Sequence, residues 1–437
     1  MTTYDAIVIG GGPGGTTCAS ALAKAGRSVA LIERERVGGE CAYWACMPSK
    51  TLLRAAQLRL SAAEAFAWRT ANVDEYDDAE HARRLQGDGV TLLRGDARIE
   101  PSKRVRVGGD AYSYGALVIA TGSEPEIPQI DGLADAPYWT TREATAAGAA
   151  PEELLILGGG AAGVELAQAF ARLGSSVTIV ERAPHILSDE EPEAAEILAD
   201  ALRDDGVRLV LGARAVRVRS EKARVAAELD DGSSLSCTQL LVSAGRRGRT
   251  KGFGLEALGV ACDEKSGAVR VDEHCRAAPD VYAAGDVTGV GLFTHVAKYQ
   301  GRIAAANILG DAAVAGYDAI PRCVYTEPEY AATGKTQRQA EDAGIDLVVA
   351  SVGLDESARA VIYSRKPPCG TLKLVADRAA RRLVGAAILG PMASEMVSLL
   401  SLAIRTRADI AMLADIVEPF PTFSEALHPA LERLRGG

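Results

Sequence analysis

Residues 10–34 read GGGPGGTTCASALAKAGRSVALIER, and residues 158–182 read GGGAAGVELAQAFARLGSSVTIVER. The two stretches align without a gap. Each follows an apolar run, Ala6-Ile7-Val8-Ile9 in the first copy and Leu154-Leu155-Ile156-Leu157 in the second. Each continues into an Ala- and Leu-rich helical segment and then a β-branched strand that closes on Glu-Arg. Strand, GxGxxG, helix, strand and terminal acid is the pattern of a dinucleotide-binding unit. A lone GxGxxG is equally a glycine-rich turn. Two copies with every flanking element in place argue strongly against that bland reading, and two nucleotide sites imply two different cofactors.

The glycines have separate tasks. Gly10 and Gly158 permit the tight turn. Gly12 and Gly160 let backbone approach a pyrophosphate. Gly15 and Gly163 let the helix pack close on its strand. The pyrophosphate then meets unpaired N–H groups at the positive end of a helix. Glu33 follows Gly15 by 18 residues and Glu181 follows Gly163 by 18, each placed to bind a ribose. At Glu181 a carboxylate would accept from a 2′-hydroxyl and repel a 2′-phosphate, so NAD(H) is expected in preference to NADP(H).

Further stretches agree with an α/β fold. Leu117-Val118-Ile119-Ala120-Thr121-Gly122-Ser123 is a strand running into a small-residue turn, and Leu240-Leu241-Val242-Ser243-Ala244-Gly245-Arg246 repeats it. Val281-Tyr282-Ala283-Ala284-Gly285-Asp286 is a strand with an acid at its end, and a helical pattern covers 294–309. After about residue 316 the fingerprints stop. Strand-like runs (347–352, 370–375, 383–389) give way to helical ones (393–405, 410–416, 424–434), which reads as a separate α+β domain.

Composition narrows the class. At 437 residues several domains are expected. With 48% hydrophobic and 24% charged residues the chain is globular, and with net charge -10 and no basic run it is a poor nucleic-acid partner. No apolar stretch reaches membrane-span length. Met1-Thr2-Thr3-Tyr4-Asp5 runs straight into a strand, so no signal peptide is read and a cytoplasmic protein is expected. Of eight cysteines, six (Cys18, Cys237, Cys262, Cys275, Cys323, Cys369) are isolated. Cys41 and Cys46 form one close pair, more in keeping with catalysis than with a structural bridge in a reducing compartment. Cys46 precedes Met47-Pro48-Ser49-Lys50 and a long helical pattern over 51–66, and a cysteine at a helix N-terminus favours its thiolate. No metal ligands are assigned.

These motifs together resemble the flavoprotein disulfide reductases, the family of dihydrolipoyl dehydrogenase, glutathione reductase and mercuric reductase. The likeness runs nearly the whole length, through GG-x-C-x4-C-x-P-S-K, Ala284-Gly285-Asp286, Val324-Tyr325-Thr326-Glu327-Pro328-Glu329 and Pro421-Thr422-x-Ser424-Glu425. It implies an FAD domain (1–148 and 247–315) interrupted by an NAD(P) domain (149–246), then a dimerisation domain (316–437). It also implies a homodimer in which one subunit's C-terminal segment completes the other's site. The resemblance makes Cys46 the flavin-proximal thiol and Cys41 the thiol that attacks substrate. Lys50 is the lysine at flavin N5, Glu165 its ion-pair partner and Asp286 the ribityl-binding acid. The remaining cofactor-binding residues by resemblance are Gly14, Arg34, Gly39, Ala97, Thr121, Gly122, Arg182, Ala244, Gly245, Arg246, Gly285 and His295. The reaction implied carries electrons from NAD(P)H through FAD to the cysteine pair and on to a small-molecule or protein acceptor of disulfide or thiol type.

The chain departs from the pattern at one place. Where these enzymes carry a histidine paired with an acid, it has Phe420, with Glu425 at the acid position. A positioned acid typically contributes about 10²–10⁴-fold, and phenylalanine cannot supply it. The tail from 431 to 437 lacks the cysteines on which mercuric reductase and large thioredoxin reductases rely. Between the cysteines, Ala42-Tyr43-Trp44-Ala45 replaces the commoner Leu-Asn-x-Gly, and the two aromatics are expected to alter the substrate side. A ketopropyl-coenzyme M oxidoreductase/carboxylase shares the Phe but has a histidine where Glu425 stands. Reductive C–S cleavage therefore stays open as an alternative, as does reduction of a quinone, metal ion or oxygen without an acid.

Overall fold

The computed structural model describes residues 2–364 and 370–436, the side chain at 221 excepted, so Cys369 lies outside the described residues. The chain divides into two compact units. The first comprises Met1–Thr51, Phe66–Ile127 and Gly245–Gly316; the second comprises Leu52–Ala65, Pro128–Ala244 and Tyr317–Gly437.

In the first unit Thr2–Ile9 runs parallel to Val29–Glu33 on one side and to Asp110–Ile119 on the other, with Ile7 opposite both Ala30 and Leu117. Thr91–Arg94 and Val281–Ala283 extend the parallel sheet at its two ends. An antiparallel pair, Ala97–Glu100 and Arg104–Val107, attaches to Asp110–Ile119. Side chains alternate between faces, so a strand covered on both sides must be apolar throughout. Ala6, Val8, Leu31 and Val118 pack with Cys18, Leu22 and Ala304 on one face. Ile7, Ile9, Ile32 and Ile119 pack with Leu255 and Val287 on the other. The helices Pro13–Lys24 and Thr294–Leu309 cover the first face and touch through glycine: a Cβ on Gly301 would lie 2.5 Å from the Gly14 carbonyl.

The second unit repeats the arrangement with four parallel strands in the order Arg208–Leu211, Ser176–Glu181, Glu153–Leu157, Gln239–Val242. It also holds an antiparallel five-stranded sheet, with Arg322–Val324 and Leu347–Gly353 at its edges and Arg382–Gly390 at its centre. The helices Ala393–Thr406 and Leu427–Gly436 bury Leu400, Ile404, Leu431 and Leu434 with that sheet's Leu374 and Ile388. Ion pairs tie the two parts of this unit: Arg322 to Glu190 at 2.7 Å, and Lys373 to Glu191 at 2.7 Å and Glu193 at 3.0 Å.

One expectation is corrected. Residues 51–66 are not one helix. The helix Cys46–Gln57 stops, and Ala62–Asn72 begins after it. Arg59 turns left-handed at φ 56°, and the Leu60 N–H donates back to the Ala55 carbonyl at 3.1 Å. Ser61 and Glu64 then start the next helix reciprocally: the Glu64 N–H donates to Ser61 Oγ at 3.3 Å, and the Ser61 N–H to Glu64 Oε2 at 2.9 Å.

Candidate active site

The two fingerprints fold alike, down to individual atoms. Gly10 (φ 109°) and Gly158 (φ 116°) are left-handed, and a Cβ on either would sit 2.2 Å from a carbonyl of the neighbouring strand's turn, Ala120 or Ser243. A Cβ on Gly15 or Gly163 would sit 2.0 or 2.1 Å from the carbonyl of its own turn glycine. Gly12 and Gly160 face open space, with nothing within 4 Å of an added Cβ. Those two backbone stretches, each heading a helix, fit a pyrophosphate lying against them. Both strand-end acids turn toward the loop. Glu33 Oε2 accepts from the Gly11 N–H at 2.6 Å, and Glu181 Oε2 from the Gly159 N–H at 2.7 Å. Their other oxygens accept from the N–H groups of Glu35 (2.7 Å) and Ala183 (2.8 Å). Each loop is thus shaped by its own carboxylate, which keeps lone pairs for a ribose.

A second group assembles around Asp286. Ser123 Oγ donates to Asp286 Oδ2 at 2.7 Å, and Arg246 Nε donates to Ser123 Oγ at 2.7 Å. Burial raises the Asp286 carboxyl above its usual range, while Ser123 and Arg246 pull the other way. Thr121 Oγ1 donates to the Arg249 carbonyl at 2.6 Å. Gly122, Gly245 and Gly285 are all left-handed, at φ 71°, 124° and 91°. Sequence reasoning placed Ser123 in the small-residue turn after Thr121-Gly122 but gave it no role. Ala97 opens a strand opposite Val107, and Arg34 stands 3.9 Å from Asp96. Arg182 follows the strand Ser176–Glu181.

The cysteines stand on separate helices. Cys41 lies on the short helix Gly39–Tyr43, and Cys46 opens Cys46–Gln57. Gly39 is obligatory here: it is left-handed at φ 62°, and its Cβ would lie 2.9 Å from Gly12 Cα. That contact seats the cysteine segment on the first nucleotide loop. Both sulfurs are thiols, and Cys46 Sγ stands 3.4 Å from Thr294 Oγ1. The hydrogen bond to Cys46, with burial, pushes the Cys41 pKa up, while Thr294 and Lys298 pull the other way.

Tyr43 and Trp44 are buried. They are 1% and 8% exposed and pack with Val73 and Tyr76. The Arg36 guanidinium lies 5.9, 5.4 and 5.9 Å from the ring centres of Tyr43, Trp44 and Tyr76. The aromatics therefore brace the inter-cysteine turn, because rings of this size stabilise most when buried.

Lys50 lies on the Cys46–Gln57 helix, one turn after Cys46. Glu165 is 3% exposed, and its Oε1 accepts from the Tyr325 N–H at 2.9 Å. His295, near the start of Thr294–Leu309, stacks on Phe293 with ring centres 5.2 Å apart. Phe420 is 75% exposed and precedes a cis proline, Pro421. Glu425 caps a helical turn: its Oε2 accepts from the Thr422 N–H at 3.1 Å. Glu418 lies close by, its carboxyl raised by burial and by Glu425 and lowered by His428.

The chain matches the family described as pyridine nucleotide-disulphide oxidoreductase over residues 4–301, and that family's dimerisation domain over residues 320–431. The chain belongs to the pyridine nucleotide-disulphide oxidoreductase family. It is 36% identical to a dihydrolipoyl dehydrogenase of Thermus scotoductus, across 99% of this chain and 98% of that protein. It is 35% identical to a mercuric reductase of Acidithiobacillus ferrooxidans, across 97% and 81%. The solved HOCl-induced flavoprotein disulfide reductase RclA of Escherichia coli superposes with TM-score 0.90 at 30% identity, covering 98% of this chain and 99% of that one. The protein is therefore an FAD-dependent oxidoreductase that uses a pyridine nucleotide. Among the described residues, no helix is long and apolar enough to cross a membrane.

Proposed function

We propose that this oxidoreductase takes electrons from NADH and delivers them, through Cys41 and Cys46, to a disulfide or related thiol-type acceptor. One observation carries the reading: a thiol pair seated on the first nucleotide loop, with Cys46 beside the Thr294 hydroxyl and Cys41 opening on a cavity. FAD, when bound, would supply the two-electron relay between the nicotinamide and the sulfur pair. Residues 1–148 and 247–315 hold FAD through Gly12, Glu33 and Asp286. Residues 149–246 hold the nicotinamide nucleotide through Gly160 and Glu181. Residues 316–437 pair two subunits, bringing Glu425 and Phe420 of one chain to Cys41 of the other. Cys41 attacks one acceptor sulfur and releases a thiolate. Cys46 then attacks Cys41 and releases the second, leaving the Cys41–Cys46 disulfide to be reduced again. Anaerobic titration of the purified flavoprotein with NADH, followed by thiol counting, tests this directly. Two new thiols at Cys41 and Cys46 are expected; NADH-reduced flavin with no thiol gain refutes it.

A second reading, reduction of a soft metal ion, is supported by Phe420, since an ion needs no protonated leaving group. A solved Cu(II) complex of RclA, at 29% identity and TM-score 0.90, points the same way, whereas the tail lacks the cysteines on which mercuric reductases rely. NADH oxidation that depends on cupric or mercuric ion, and not on any disulfide, would favour it over the first.

A further inference from the structure

A break in helix separates the cysteines. The helix Gly39–Tyr43 ends at Trp44, with φ -134° and ψ 2°, and the next helix opens on Cys46. Such a hinge does not by itself fix the separation of two sulfurs; what packs on it must. Packed on it is the segment 73–78. Asp74, Glu75 and Tyr76 are three consecutive left-handed residues, at φ 49°, 51° and 65°, a conformation disfavoured for L-residues. Backbone of this kind persists only where surrounding contacts hold it. Those contacts converge on the hinge. Arg36 Nε donates to the Tyr76 carbonyl, and the guanidinium lies among the rings of Tyr43, Trp44 and Tyr76. The Trp44 and Tyr76 rings stack with centres 6.5 Å apart at 27°. The Tyr43 hydroxyl donates between the carbonyls of Val37 and Asp77, 3.3 Å from each. The Val37 N–H donates to Asp78 Oδ2 at 2.6 Å, and Arg94 grips both oxygens of Asp78, at 2.7 and 3.0 Å. The stretch 36–37, the hinge at 43–44 and the turn 74–78 thus form one bracket, and the Arg36 side chain lies at its centre.

We infer that Arg36 is a positioning residue for the Cys41–Cys46 pair: by clamping Tyr43 and Trp44 against Tyr76 it holds the hinge closed and so favours the disulfide over the open dithiol. This rests on the reading that the pair is redox-active. In the step concerned, Cys46 as thiolate attacks the Cys41 sulfur of the Cys41–acceptor mixed disulfide. The Cys41–Cys46 bond forms, and the bond to the acceptor sulfur breaks. That sulfur leaves as a thiolate and takes a proton from water; the electrons come from the dithiol. A clamped hinge loses less freedom when the bond closes, so the clamp raises the effective concentration of one sulfur at the other. Arg36 acts here through two rings. The Ala42-Tyr43-Trp44-Ala45 spacer supplies both of them, where the commoner Leu-Asn-x-Gly has none.

The test uses the full-length FAD-loaded protein and three variants that reach the bracket from different places: Arg36→Gln, Trp44→Leu and Tyr76→Leu. Trp44→Phe, which keeps a ring, is the conservative variant. Each protein is equilibrated in buffers of reduced and oxidised dithiothreitol, and the fraction of Cys41–Cys46 disulfide is read by alkylation and peptide mass. Each of the three should lower the equilibrium constant for disulfide formation about 10-fold, a rise of about 30 mV in midpoint potential. Trp44→Phe should stay within about 2-fold of wild type, since a buried ring is retained. Arg36→Gln combined with Trp44→Leu should lower the constant no further than the larger single effect, because both release one bracket. Retained flavin absorbance certifies that a variant is folded, and any one folded variant of the three suffices. A lowered Tm with an unmoved constant is the signature of packing alone and overturns the inference. A readout independent of disulfide formation separates it from the parent reading. Phenylarsine oxide bridges two thiols with release of water, and its affinity for the reduced protein should fall about 10-fold in the same variants. If the wild-type pair forms no disulfide in any buffer yet arsenical affinity falls as stated, the redox reading has failed while the positioning role stands. If arsenical affinity is unmoved, the positioning role itself is wrong.

Discussion

The Thr294 hydroxyl lies 3.4 Å from Cys46 Sγ, at the first residue of one helix and the first residue of another. A hydroxyl proton there can be donated to a Cys46 thiolate, and the same hydroxyl also favours the Cys41 thiolate. Cys41→Ser should leave a Cys46 thiolate beside the flavin and give a long-wavelength charge-transfer band. In that background Thr294→Val removes a hydrogen bond worth about 1 kcal/mol, so the band should titrate about 0.7 pH unit higher. An unmoved midpoint would show that the hydroxyl does not serve the thiolate.

Glu181 shapes the second nucleotide loop through Gly159 and Ala183, and we propose that it also offers a carboxylate to a ribose. The wild type should have the higher kcat/KM with NADH. Glu181→Ala should lower that value about 10- to 100-fold, the range for losing a charged hydrogen bond, and should narrow the gap to NADPH. Steady-state kinetics with both nucleotides decide it; a wild-type preference for NADPH contradicts the role given to Glu181.

We propose that Phe420 bears on the acceptor half-reaction alone. Wild-type turnover of dihydrolipoamide-type or glutathione-type disulfides should be slow, while stopped-flow reduction of FAD by NADH is fast. Phe420→His should raise disulfide turnover and introduce a titration near neutral pH, since imidazole changes charge there. If the wild type already reduces a good disulfide rapidly and Phe420→His leaves the rate unchanged or lower, Phe420 only fills space.

Asp286 links the flavin site to pH. Its carboxyl is raised, chiefly by burial, so in flavin-free protein its contribution to folding is present below the usual carboxylate range and is lost as pH rises through the raised value. Flavin-free Asp286→Asn should therefore melt higher than wild type at pH 7 and about equally at pH 4, while binding FAD more weakly. Calorimetry at the two pH values checks the first claim and flavin titration the second. A lower Tm for the flavin-free variant at pH 7 would contradict the sign.

What could be read in the sequence was whatever repeats or has a fixed period. The twin fingerprints and the helix at 294–309 come from spacing alone, because glycine positions and apolar alternation are local properties. What escaped was set by partners distant in the chain. Ser123 matters through Asp286 and Arg246, and Thr294 through Cys46; no local pattern distinguishes these residues from their neighbours. Tyr43 and Trp44, between the cysteines, were expected to alter the substrate side. Their packing on Val73 and Tyr76, made across about thirty residues of chain, was not legible. The break between the helices Cys46–Gln57 and Ala62–Asn72 was legible, since Ser61-Ala62-Ala63-Glu64 is a capping sequence, but continuous apolar character masked it.

Glu425 accepts from the Thr422 N–H, as the third residue of a capped turn. The backbone therefore has its own use for this acid, independent of any histidine at 420. A chain can lose the proton donor and still retain the glutamate, because dropping it would unfasten the start of the final helix. Acid and histidine are thus inherited under separate constraints, and finding the first in a sequence is poor testimony for the chemistry of the second.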